Sequence, residues 1–155
     1  ALPIWFDYMR ENGVYDNTRI ILVADHGRGL YLNWDRVIDN GPDTDFFFPL
    51  LMVKDFNAKG FSFSDTFMTT ADVPTLATSG LIDNPTNPFT GNAINANAKY
   101  DRPFYAFMSY DWDTSKNNGN QFFPGTWYRV DNQNARDKRN WVMVGENTVL
   151  PDALR

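Results

Sequence analysis

Arg19-Ile20-Ile21-Leu22-Val23-Ala24-Asp25-His26-Gly27-Arg28-Gly29 is the stretch on which the reading of the fold turns. Ile20 to Ala24 is an unbroken apolar run rich in β-branched residues, which favour extended backbone. An apolar run without alternation fits a strand buried on both faces, as in a parallel sheet covered by helices. It stops at a polar loop containing two glycines. Upstream, Leu2, Trp5, Phe6 and Met9 recur at helical spacing and predict an amphipathic helix, with Gly13 as its C-cap. Downstream, Phe46 to Val53 predicts a second buried strand, starting after Pro49 or carrying it at an edge. Thr69 to Ala77 reads as a helix start: Thr69 or Thr70 caps it, Asp72 suits its positive end, Pro74 is tolerated in its first turn, and Gly80 ends it. Asp83 to Ala98, rich in Asn and Pro, reads as loop.

The last third changes character. Phe104-Tyr105-Ala106-Phe107-Met108, Thr126-Trp127-Tyr128-Arg129-Val130 and Trp141-Val142-Met143-Val144 predict short strands separated by polar turns. The expected fold class is therefore α/β, a partial parallel helix-flanked sheet followed by a small C-terminal antiparallel sheet. The corresponding division is residues 1–100 and residues 101–155.

Composition narrows the function classes. At 155 residues the chain has the size of one domain or two very small ones. It has no cysteine, which removes disulfides, thiolate catalysis and Cys-type zinc sites. A net charge of -5 argues against nucleic acid as the main partner, because phosphate binding needs clustered Lys and Arg. It leaves open a small anionic substrate held through a metal. The longest apolar run, Phe46 to Val53, is far short of the roughly 20 residues of a membrane span. No signal-peptide pattern is visible, so the chain is expected to be soluble, without membrane contact of its own. It opens at Ala1 without Met, which suggests a processed protein or a piece of a longer one.

The chemistry-bearing spot is Asp25-His26. In open α/β sheets ligands bind beyond the carboxyl ends of the strands. A carboxylate and an imidazole side by side there can both reach one divalent cation, the first as a hard oxygen donor, the second as a neutral nitrogen. Gly27 and Gly29 allow a sharp turn and leave room for a ligand, and Arg28 can pair with an anionic oxygen of a substrate. The same pattern also describes a capped turn with a satisfied imidazole.

Beyond the pattern, Asp16-Asn17-Thr18-Arg19-Ile20-Ile21-Leu22-Val23-Ala24-Asp25-His26-Gly27 resembles a segment of the alkaline phosphatase superfamily, in its sulfatase and lipoteichoic-acid-synthase branch. There a D-N-T turn leads into an apolar strand ending in Asp-His-Gly. Phe48-Pro49-Leu50-Leu51-Met52-Val53 resembles the Pro-containing strand that follows. Thr70-Ala71-Asp72-Val73-Pro74-Thr75-Leu76-Ala77 resembles a D-(I/V)-x-P-T-L helix start, with Ser79-Gly80 close behind, and Asn87-Pro88-Phe89-Thr90-Gly91 fits the same branch loosely. The resemblance covers residues 2 to 92. It implies that Asp25 and His26 are two ligands of a catalytic divalent metal, manganese or magnesium, with calcium or zinc as further fits. It implies a sulfuric-ester or phosphoric-ester hydrolase or transferase, whose substrate is an anionic ester and whose parent protein is extracytoplasmic and membrane-anchored in a bacterium. The family's nucleophile, a Thr, Ser or modified Cys in the N-terminal half, has no counterpart here, and His26 is the sole histidine. The chain is thus expected to be the C-terminal part of such an enzyme, inactive without the remainder of the parent chain.

Other candidates read more simply. Thr75 has no base in sequence reach and is expected to be a helix residue. Asp43 and Asp45 can bind a cation or solubilise a turn, and Asp111-Trp112-Asp113 can bind calcium or sit in a solvated loop. Arg136-Asp137-Lys138-Arg139 reads as a solvated hairpin turn. Trp112, Phe122, Phe123, Trp127, Tyr128 and Trp141 are either the core of the terminal sheet or, if exposed, a sugar-stacking face. The second face gives the competing function, a non-catalytic interaction or carbohydrate-binding module.

Overall fold

The structure is a computed structural model that describes residues 1–109 and 123–154. Asp111, Trp112, Asp113 and Phe122 lie outside the described residues. Contacts divide the chain into two units. The first comprises residues 1–26 and 49–96, the second residues 27–48 and 97–155.

The first unit opens with helix α1, Leu2–Glu11. Pro3 sits in its first turn, where its missing N–H costs nothing. Asn12 caps its C-terminal end, and Gly13 follows in the left-handed region at φ 67°, donating to the Arg10 carbonyl at 3.0 Å. Of the predicted apolar stripe only Met9 is buried. Strand β1, Ile20–Val23, pairs with strand β2, Leu51–Lys54, and the pairing is antiparallel: Ile20 faces Lys54 and Val23 faces Leu51.

The expected parallel, helix-flanked sheet is therefore overturned. Among the described residues there are two small antiparallel sheets, of two and three strands, and two short α-helices. The physical reason lies in what an apolar run encodes. β-Branched side chains favour an extended backbone, but they carry no information about the direction of the neighbouring strand. Nor is the run buried on both faces: Ile20 is buried, Ile21 and Leu22 are half-buried, and Val23 is 45% exposed.

Polar ties hold this unit. The Arg19 guanidinium donates to Asp55 at 2.9 Å and to the carbonyls of Leu76, Ala77 and Ser79 at 2.9, 3.2 and 2.7 Å. Those carbonyls lie at the C-terminal end of helix α2, Val73–Thr78, where acceptors are left without intrahelical partners. The Lys54 ammonium gathers the carbonyls of Tyr15, Asp16 and Thr18 from the turn before β1. At the start of α2, a short 3-10 turn at Thr70–Asp72 is closed by the Asp72 carboxylate, which accepts from the Thr69 N–H at 2.7 Å and its hydroxyl at 3.2 Å.

The second unit is built on strands β3, Phe104–Met108, β4, Gly125–Val130, and β5, Trp141–Thr148, in antiparallel order β3-β4-β5. Phe104 faces Val130, and Val130 faces Trp141. β5 carries extra residues against β4 around Trp127, a bulge that bends the sheet. Ala106, Tyr128, Val130 and Trp141 form the core, joined by Ile38, Phe47, Phe104 and Ala135. Tyr128 and Trp141 are thus core residues, with the Phe47 and Trp141 rings 4.9 Å apart and the Trp141 indole N–H donating to the Ala135 carbonyl at 2.8 Å.

Val130 has no exposed surface and contacts this core from the central strand. Val130→Ala is expected to destabilise the second unit by about 2 kcal/mol through lost burial plus a residual cavity. Urea unfolding followed by tryptophan fluorescence checks it, and a change under 0.5 kcal/mol, roughly the scale of a surface substitution, would contradict the assignment.

In the β4–β5 connection, Asp137 pairs with Arg139 at 2.6 Å and also accepts the Arg139 backbone N–H. The guanidinium, with that N–H assisting, lowers the Asp137 carboxyl to about 2. Because the folded value is depressed, its contribution to stability is present above the unfolded value of about 3.9 and lost as pH falls towards about 2. Carboxyl titration by NMR is expected to give a low value for Asp137 that rises in Arg139→Ala.

Candidate metal-binding strand end

β1 ends where the Ala24 N–H donates to the Leu50 carbonyl at 2.9 Å. Asp25 and His26 follow at once and leave the ladder, so neither backbone is committed to the sheet. The Asp25 Oδ1 accepts the His26 backbone N–H at 3.0 Å, a local turn that draws the two residues together. The Asp25 Oδ2 lies 3.8 Å from the His26 Nε2, and both side chains are open to solvent, at 88% and 63% exposure. Sequence reasoning placed these two residues on one strand end, and the structure brings their donor atoms to one place.

That separation can be tested against a cation. With bonds of about 2.1 Å to nitrogen and to oxygen, donors 3.8 Å apart subtend about 130° at the metal. This is wider than a tetrahedral angle and within reach of a small rotation about either side chain. The pair fits as two ligands of a site. Among the described residues no group of three or more His, Asp or Glu side chains could complete it.

The loop that begins at Gly27 belongs to the second unit. The Gly27 N–H donates to the Phe46 carbonyl at 2.9 Å. A Cβ at Gly27 would lie 2.0 Å from the Asp45 carbonyl oxygen and 2.6 Å from that of Phe48. A Cβ at Gly29 would lie 2.4 Å from the Phe46 ring. Both glycines are thus required by close approach to residues 43–48, whereas the sequence reading assigned them to turning and to ligand room. Arg28, between them, is exposed and has no side-chain partner among the described residues.

Asp43 anchors the same loop and was missed as an anchor. It is 1% exposed, and its carboxylate accepts the N–H groups of Tyr31 at 2.9 Å and Asp45 at 3.0 Å. Tyr31 takes φ 53°, an uncommon conformation for a bulky residue, and the Asp43 bond helps to hold it there. Asp45 is paired with Arg36. Neither carboxylate is a spare cation ligand, and Asp43 does not solubilise a turn. The Asx-capping pattern Asp43-Thr44-Asp45 was the signal available for its role. Thr75 lies within α2, its carbonyl accepting the Ser79 N–H at 2.9 Å.

Comparison of the chain with protein-family models, with curated proteins and with solved structures returns no match.

Gly27→Ala places a methyl group on two backbone carbonyls that have no flexible end to move. It is expected to cost about 1–3 kcal/mol as overpacking. The urea midpoint is the readout, and an unchanged midpoint would show that the loop does not sit against residues 45–48.

Proposed function

We propose that the chain is the C-terminal portion of a metal-dependent sulfuric-ester or phosphoric-ester hydrolase or transferase, to which Asp25 and His26 contribute two ligands of a divalent cation. The observation that carries this reading is the 3.8 Å separation of the Asp25 Oδ2 and the His26 Nε2 at the exposed end of β1. The motifs of residues 2 to 92 that resemble the alkaline phosphatase superfamily support it.

Manganese or magnesium suits the role best, and calcium or zinc are the other candidates. When bound, such a cation polarises an ester oxygen and stabilises developing negative charge. The chain's own residues have narrower tasks. The Asp25 carboxylate supplies charge and one oxygen. The His26 imidazole supplies nitrogen and favours a borderline metal over calcium. Arg28 is the candidate partner for the anionic ester, by a charge-assisted hydrogen bond.

The chain holds no cysteine and no Ser-x-Pro-x-Arg pattern, so in this reading the nucleophile belongs to the remainder of the parent chain. No described helix is long and apolar enough to cross a membrane. An extracytoplasmic, membrane-anchored parent is part of the proposal and rests on the resemblance alone.

Calorimetric titration with manganese tests the site. Wild type is expected to bind weakly, in the high-micromolar range or above by order of magnitude, since water must replace the missing ligands. At a ligand concentration near the dissociation constant the stabilisation is about 0.4 kcal/mol. Asp25→Ala and His26→Ala should each abolish the heat, and no turnover of aryl sulfates or phosphodiesters is expected with manganese, magnesium or calcium. Binding that survives both substitutions would remove Asp25 and His26 from the site. Tight stoichiometric binding lost in both would show a complete site within this chain.

A further inference from the structure

The geometry points to a second binding site, independent of Asp25 and His26, in the depression between residues 100–103 and the start of the β4–β5 connection, with a neutral saccharide as its class of ligand. Residues Tyr100, Asp101, Arg102, Asp131, Asn132 and Gln133 line it, all within the second unit.

Its walls are fixed in advance. The Gln133 amide donates to the Tyr100 carbonyl at 2.7 Å and ties the two loops together. The Asn132 amide donates to the Asn140 side-chain oxygen at 3.0 Å. Asp131 is held by Arg129 through two bonds, at 2.8 and 3.0 Å. By contrast, the side chains of Asp101 and Arg102 have no partner among the described residues. The depression thus has a rigid frame and two uncommitted groups, one pure acceptor and one pure donor.

The backbone adds a separate observation. Asn132 and Gln133 are both left-handed, at φ 56° and 51°. Two successive positive φ values are the requirement of a primed turn, whose second position glycine fills without strain. Gln133 occupies that position instead. Strained side-chain-bearing residues of this kind cluster at binding sites, because the side chain is wanted where the backbone would prefer none.

The chemistry of the lining selects the ligand. Asp101 and Arg102 cancel in charge, as do Asp131 and Arg129, so the depression favours neither an anion nor a cation. A carboxylate beside a guanidinium matches hydroxyl groups, each of which both donates and accepts. Tyr100, 40% exposed, also lines the depression, with the Lys99 ammonium 5.5 Å from its ring centroid, so a sugar ring meets only the part of the aromatic surface that the ammonium leaves open.

The test is an amide-resolved NMR titration of the whole chain with glucose, galactose and N-acetylglucosamine, at tens of millimolar, the range expected of a shallow open site. At least one sugar should shift the amides of residues 100–102 and 131–133. Arg102→Ala and Asp101→Ala each remove a side chain with no partner among the described residues, so neither should lower the urea midpoint appreciably. Each should weaken the sugar-dependent shifts by about fivefold or more, the worth of one hydrogen bond. The proposal is overturned if none of the three sugars moves those amides, if the shifts survive both substitutions, or if sodium sulfate produces the same shifts at the same concentration. None of these outcomes bears on manganese binding at Asp25 and His26.

Discussion

The first unit depends on one cation. Arg19 stands at the entry to β1 with its side chain 10% exposed, and removing a charge from water is costly unless hydrogen bonds replace the lost hydration. Here they do. Asp55, just past the end of β2, neutralises it, and three carbonyls at the end of α2 take up the remaining donors. The guanidinium also lies 4.7 Å from the centre of the Phe56 ring. One side chain thereby joins β1, the segment after β2, and α2. The pairing leaves its mark on Asp55, whose carboxyl is held below its ordinary value by the hydrogen bond from Arg19, with the Phe56 backbone N–H assisting. Such a hub matters because the apolar contribution is small: Met9 and Ile20 are the buried hydrophobic residues of this unit.

The second unit solves the same problem with apolar surface. Val130, Tyr128, Ala106 and Trp141 face inward from three strands, and residues 27–48 cover them with Ile38 and Phe47. That covering segment keeps its shape through polar anchors: Asp43 on the Tyr31 and Asp45 N–H groups, Arg36 on Asp45. The hydroxyl of Thr44, fully buried, has no partner among the described residues and is a local cost in an otherwise satisfied strap.

What the sequence made legible follows from which physics is local. The helix from Leu2, the strand before Asp25 and the three C-terminal strands were readable because periodicity, β-branching and turn residues act over a few positions. The left-handed Gly13 and Gly80 behave as helix stops for the same reason. Strand direction was not readable, since residues 24–50 separate β1 from β2 and their antiparallel pairing is decided by contacts far apart in the chain. The grouping of residues 27–48 with 97–155 was hidden likewise, because Phe47 in a run of phenylalanines does not announce that its partner is Trp141. At the candidate site, adjacency in sequence placed Asp25 beside His26. The reason for Gly27 lay in the backbone carbonyls of Asp45 and Phe48, and that for Gly29 in the Phe46 ring, which no motif displays.

The Asp25-His26 pair is preorganised only in part, and this governs what a cation would find there. The backbone end is firm, since Ala24 is still in register with Leu50. The Asp25 carboxylate is less so: it is steadied by the N–H of its own neighbour, and both groups stand largely in water. Outer groups that orient a ligating imidazole commonly raise metal affinity by about 10–100-fold. The Asp25 carboxylate stands 88% exposed, so a cation must itself immobilise it and gains correspondingly less. A two-ligand platform of this kind discriminates among cations by donor type more than by cavity size, because no wall sets a radius. Sharp selectivity at this position therefore requires further ligands, brought against the end of β1, to limit the coordination shell.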